Sequence, residues 1–106
     1  MDTSKVLTRE EALRLVRKYK QVISPRFKKE PMVYMFGSYS KGYPNPWSDI
    51  DVAVIVPTIK DDDWLERSAD LWHDVDKVSL LIEPVLMSQD EDTLLYRDVM
   101  RTGIAV

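Results

Sequence analysis

The stretch from Met35 to Val56 limits what this 106-residue chain can become more than any other. An apolar run ends at Phe36, Gly37 and Ser38 follow, and a loop carrying Gly42, Pro44 and Pro46 leads to Asp49-Ile50-Asp51. From Asp51 to Val56 the chain is β-branched and almost wholly apolar, the pattern of a central strand covered on both faces. Side chains on a strand alternate, so Asp49 and Asp51 share a face, with Cα atoms about 6 to 7 Å apart. Two such charges repel by roughly 3 kcal/mol at an effective dielectric of about 20. A shared proton or a divalent cation would offset that.

Mg²⁺ takes one or two protein carboxylates together with substrate phosphates and water. The other end of the stretch suits the phosphates. Gly37 and Ser38 leave a strand and open at most one helical turn before Gly42, where unpaired N–H groups and the positive end of the dipole attract anions. Glycine allows close backbone approach, and the Ser38 hydroxyl adds a donor. Lys41 either adds a cation or is simply solvated; Ser48 either touches the site or shapes the loop. Tyr43, Pro46 and Trp47 serve loop packing, with base stacking or partner contact as the alternative. Two other motifs fail. Gly37 to Gly42 has the spacing of a Walker loop, but Tyr43 stands where lysine is needed. Asp49 to Ala53 lacks the third oxygen ligand and the glycine of a calcium loop.

Gly37-Ser38, ten residues, then Asp49-Ile50-Asp51 resembles the signature of the nucleotidyltransferase superfamily that includes DNA polymerase β and the antibiotic nucleotidyltransferases. The short chain is most similar to the minimal nucleotidyltransferases, MNT proteins usually encoded beside a HEPN-domain ribonuclease as its antitoxin. The resemblance implies a mixed-sheet, polymerase β-like α/β (α+β) fold. It implies two Mg²⁺ ions held by Asp49, Asp51 and a third carboxylate, with ATP phosphates held by Gly37, Ser38, Lys41 and Ser48. It also implies AMP transfer from ATP to a tyrosine hydroxyl of the HEPN toxin. A binding-only antitoxin with an idle site is the alternative.

Glu83 is the candidate third carboxylate, by element order. It stands among Leu80, Leu81, Ile82, Val85 and Leu86, where a charge is costly unless it is paired or binds metal. The family residue is usually Asp, and Pro84 marks an edge strand, where a glutamate could simply face water.

The remaining chain supplies the scaffold. Thr8 and Glu11 form a capping-box pattern that starts a helix near Arg9. Ala12, Leu13, Leu15, Val16, Tyr19, Val22 and Ile23 form its buried stripe, and Ser24-Pro25 ends it. Met32 to Phe36 reads as a strand. Asp61-Asp62-Asp63 caps a helix whose core face carries Trp64, Leu65, Ser68, Leu71, Trp72 and Val75. Val78 to Met87 reads as a third strand, and Asp90 to Arg101 as a last helix with Leu94, Leu95, Val99 and Met100 inward and Gly103 at its end. The order α-β-α-β-α-β-α suits a layered domain spanning residues 1–106.

Composition closes off other classes. The chain has no cysteine, which removes disulfide frameworks and thiolate zinc sites. Its one histidine, His73, has no companion ligands and reads as a surface residue. No apolar run approaches the ~20 residues of a membrane span, so a cytoplasmic protein is expected. The net charge of −3 divides into +5 over residues 1–30 and −8 over the rest. The basic first helix is most simply a solvated face, and nucleic acid is not an expected partner.

Overall fold

Thr8 starts the first helix as its spacing requires. In the computed structural model, which describes residues 6–46, 48–60 and 63–106, the Thr8 hydroxyl accepts from the Glu11 N–H and the Glu11 carboxylate accepts from the Thr8 N–H. Helix α1 (Arg9–Ile23) buries Ala12, Leu13, Val16, Tyr19 and Ile23 and passes into a 3₁₀ turn at Ser24–Arg26. Strand β1 (Met32–Phe36), the one-turn α2 (Ser38–Lys41) and strand β2 (Ile50–Val56) follow. Next come α3 (Trp64–His73), a 3₁₀ turn at Val75–Lys77, β3 (Ile82–Ser88), α4 (Leu94–Thr102) and the two-residue β4 (Ile104–Ala105).

The sheet order is β3-β2-β1-β4, with β2 and β3 parallel and the other pairs antiparallel. Alternation along β2 sorts its residues between two layers. Ile50, Val52, Val54 and Val56 pack with α1 and Leu71 of α3. Ala53 and Ile55 pack with Phe36, Met87 and Val99 of α4. Strand β2 is therefore covered on both faces, as its composition requires, and each large side chain buried there contributes about 1.5–3 kcal/mol. The buried Tyr19 hydroxyl donates to the Leu71 carbonyl at 2.6 Å and ties α1 to α3. Among the described residues no helix is long and apolar enough to cross a membrane.

Several expectations need correction. Trp64 and Trp72 are half exposed, at 48% and 51%, and Leu65 is 72% exposed, so the tryptophans are not core. The inward line of α3 is carried by Leu71, followed by Val75 in the next turn. Trp72, one residue past Leu71, is rotated about 100° away from it. The third strand starts at Ile82 because residues 78–81 complete the turn that precedes it, leaving Leu80 82% exposed. Helix α4 starts at Leu94, where the Thr93 hydroxyl caps the Tyr96 N–H. Leu94, Leu95 and Met100 are exposed, and Val99 is the buried residue of that helix. Strand β4 was not anticipated. Asp61 and Asp62 of the proposed cap lie outside the described residues, and Asp63 makes no side-chain cap bond.

Candidate active site

Antiparallel pairing brings the two ends of the 35–56 stretch together. Phe36 at the end of β1 pairs with Asp51 at the start of β2, so the chain leaves β1 beside the carboxylates. Gly37 makes the turn with φ 75° and ψ −150°, a region open in practice to glycine alone. A β-carbon there would also run into the Asp51 carboxylate. Conformation and space demand glycine at the same position.

Helix α2 hangs from this turn. The Gly37 carbonyl accepts from the N–H groups of Ser40 and Lys41, at 3.1 and 3.0 Å, and from the Ser40 hydroxyl at 2.9 Å. The N–H groups of Ser38 and Tyr39 precede the first intrahelical bond, leaving two donors at the start of the turn. Gly42, at φ 90°, closes α2 in the left-handed conformation. Arg9 of α1 holds the other end, donating to the carbonyls of Tyr39 at 3.4 Å and Ser40 at 2.9 Å, where a cation suits the helix dipole. The Leu7 N–H adds a bond to the Tyr39 hydroxyl at 3.4 Å. Arg9 was missed in the sequence, which gives no local sign of contacts thirty residues away.

The parallel ladder supplies the third carboxylate. Asp51 lies directly across from Glu83, and the two strands present their odd-numbered residues to the same side, so Asp49, Asp51 and Glu83 share the face that carries α4. They crowd one another. Glu83 is held above the ordinary glutamate range, first by a hydrogen bond with Asp49, then by burial and by the charges of Asp51 and Asp49. Asp51 is raised by burial and then by the charge of Asp49. Asp51 and Glu83 thus each carry, after those larger causes, part of the repulsion that the spacing of Asp49 and Asp51 implies.

Such oxygen donors fit a hard divalent cation. Among the described residues no group of three or more acidic, histidine or cysteine side chains is placed so that it could hold a metal ion. Mg²⁺ rarely relies on an all-protein set; it completes its shell with phosphates and water. Glu83 sits on edge strand β3 and is exposed, with the buried Pro84 beside it, so it reaches its carboxylate partners from the rim.

The remaining candidates are occupied elsewhere. Lys41 pairs with Asp98 of α4 at 3.3 Å, and Arg101 pairs with the same carboxylate at 3.0 Å. The Ser48 hydroxyl accepts from the Asn45 N–H at 2.9 Å, and the Ser48 N–H donates to the Asn45 carbonyl at 2.9 Å, which folds the loop just before Asp49. His73 is exposed. Trp47 lies outside the described residues.

Comparison with known proteins identifies the family and the fold. The model of the family described as "Nucleotidyltransferase domain" matches residues 16–105. A Methanocaldococcus jannaschii protein named "Putative protein adenylyltransferase MJ0141" is 29% identical over 100 residues, covering 91% of this chain and 99% of its own length. The crystal structure of a "putative nucleotidyltransferase" from Sulfolobus solfataricus superimposes with a TM-score of 0.66 at 18% identity, covering 95% of this chain and 87% of that one. A toxin–antitoxin structure with AMP-PNP gives a TM-score of 0.51 at 26% identity, covering 93% of this chain and 72% of that one. Since the family match takes in the Gly37 turn, all three carboxylates and nearly every element around them, this chain belongs to the nucleotidyltransferase domain family.

Proposed function

We propose that this protein transfers AMP from ATP to a tyrosine hydroxyl of a HEPN-domain toxin and thereby acts as its antitoxin. One observation carries the reading: Asp51 faces Glu83 across β2 and β3 while its carboxylate packs against the Gly37 turn. A triphosphate lying on that turn would have its α-phosphate next to the acidic face. The adenylyltransferase name of the Methanocaldococcus relative and the toxin–antitoxin neighbour with AMP-PNP support AMP transfer and a toxin partner.

In this reading Asp49, Asp51 and Glu83 would hold Mg²⁺, which when bound would neutralise phosphate charge and lower the pKa of the attacking hydroxyl. Gly37 and Ser38 hold the β and γ phosphates through backbone N–H groups and the serine hydroxyl. Ser48 acts through the Asn45 contact that sets the approach of Asp49. Lys41, shared with Asp98, contributes less to the phosphates than a free lysine would. The acceptor oxygen attacks the α-phosphorus in line and pyrophosphate leaves, so the protein mainly supplies placement and charge neutralisation.

The test is incubation with labelled ATP, Mg²⁺ and the HEPN protein. The partner should be labelled, and Asp49→Asn should abolish labelling. Absence of label with both proteins folded would refute the transfer. Neutralisation of the toxin by Asp49→Asn and Asp51→Asn would instead favour an antitoxin that works by binding alone. The exposed Leu80, Leu81, Leu94 and Leu95 leave apolar surface for such contact.

A further inference from the structure

At the far end of β2 from the acidic face, the charge reverses. A cavity of about 440 Å³ opens between the connector after α1, the chain that follows Val56, and the start of α3. Arg26, Lys28, Lys29, Lys60 and Arg67 line it, and Asp63 is the one carboxylate among its described lining residues. Asp63 stands at the N-terminus of α3, where the helix dipole offsets part of its charge. Lys28, Lys29 and Lys60 are exposed and form no ion pair or hydrogen bond with any described residue. The two arginines are instead held in place: Arg26 by Asp74 at 2.6 Å, and Arg67 over the Phe27 ring, 5.7 Å from its centroid. Val56, Pro57 and Phe27 give the cavity an apolar wall.

We propose that this cavity binds a compact polyphosphate anion, the di- or triphosphate group of a small ligand, separately from the nucleotide at the acidic face. Three ammonium groups gathered around one hollow without counter-charges repel one another, and an anion carrying several charges removes that repulsion by bridging them. Lysines on flexible stems supply adjustable point charges, while anchored guanidinium groups supply fixed donors. The volume lies within the range of roughly 300–1,000 Å³ that small-ligand sites occupy. The arrangement favours a compact ligand over a polymer because the cations converge: Arg17, on the outer side of α1, lines a separate hollow beside Glu30. From Asp51 to Val56 the strand advances about 16 Å at ~3.3 Å per residue. That exceeds the Debye length of about 8 Å at physiological salt, so the two sites are occupied independently.

The test titrates pyrophosphate, and in parallel ATP, into the whole chain in EDTA, with backbone amides followed by NMR. The expected result is saturable shifts at Lys28, Lys29, Thr58, Lys60 and Arg67, with Gly37 and Ser38 unmoved by pyrophosphate. Lys28→Gln combined with Lys60→Gln should weaken this binding about tenfold and leave the melting temperature unchanged, since both side chains are exposed and pair with no described residue. Tighter binding of ATP than of pyrophosphate at these amides supports the site with a nucleotide as its source; the reverse order supports it with the inorganic anion. Shifts confined to the Gly37 turn, no saturable shift at all, or an affinity unchanged in the double variant overturns the proposal. So does a single-stranded RNA that binds more tightly than either probe and also shifts Arg14, Arg17 and Lys18, the pattern of a nucleic-acid track. Each of these failures leaves the transfer reading standing, because none of them tests Asp49 or Asp51.

Discussion

The Asp51 carboxylate fills the space that a β-carbon on Gly37 would need. Backbone turn and acidic face are thus a single packed unit, built from the last residues of β1 and the first of β2.

Gly37→Ala should therefore fail twice. The backbone conformation at φ 75° and ψ −150° costs about 1–3 kcal/mol for any other residue, and Asp51 must also move. Urea unfolding should show a loss of at least about 1 kcal/mol, accompanied by loss of ATP binding. Adding Asp51→Ala should restore part of the stability by removing the clash, but none of the binding. Full stability in the single variant would contradict the geometry.

The acidic face predicts a pH dependence. Asp51 and Glu83 are raised above their ordinary values of 3.8 and 4.5, so these two groups hold protons more tightly in the folded than in the unfolded chain. Their contribution is fully present below those ordinary values and is lost as pH rises through the folded pKa values. In EDTA at neutral pH, Asp51→Asn should melt higher than the unsubstituted protein, and the gap should close near about pH 3.5. Mg²⁺ should raise the melting temperature of the unsubstituted protein but not that of the variant. Identical melting of the two proteins under every condition would dispose of the repulsion.

Lys41 supplies a contrast. Because Asp98 already partners its ammonium group, Lys41→Ala should weaken ATP binding by no more than about threefold, the scale of an exposed pair. Isothermal titration with ATP would decide. A loss of a hundredfold would mean that Lys41 leaves Asp98 for the phosphates.

Asp74 tests the scaffold rather than the site. Its side chain is 1% exposed and receives Arg26 at 2.6 Å and Lys77 at 2.9 Å. The Arg26 hydrogen bond, outweighing burial and helped by Lys77, pulls its pKa down to about 2. The stability it provides is present above its ordinary value and lost as pH falls through about 2. Asp74→Asn should cost about 1–3 kcal/mol at pH 7 and progressively less toward pH 2. A constant difference across that range would rule out the ionic contribution.

Local signals were legible in the sequence. Thr8 with Glu11 gave the start of α1, glycine after an apolar run gave the end of β1, and the β-branched run gave β2 to within one residue. The Asp-x-Asp alternation also follows from strand geometry, whereas Glu83 was singled out by its element order in the family resemblance and its register opposite Asp51 is seen only in the sheet. What escaped depends on partners distant in the chain. Nothing near Arg9 announces that its guanidinium grips α2, and nothing near Lys41 announces Asp98. Apolar composition at Trp64, Trp72, Leu80 and Leu94 was read as burial, but composition does not tell which apolar residues find a neighbour on the four-stranded sheet of the described residues.

The Phe36–Asp51 pairing has a consequence for diversification. The Gly37 turn and the acidic face are anchored by strand register, and the chain from Gly42 to Asp49 connects two points already held together. Lengthening a surface bridge adds little closure entropy, and such segments tolerate insertion and sequence drift. Exchanging that connection between relatives should therefore leave the Gly37–Asp51 unit and its register intact.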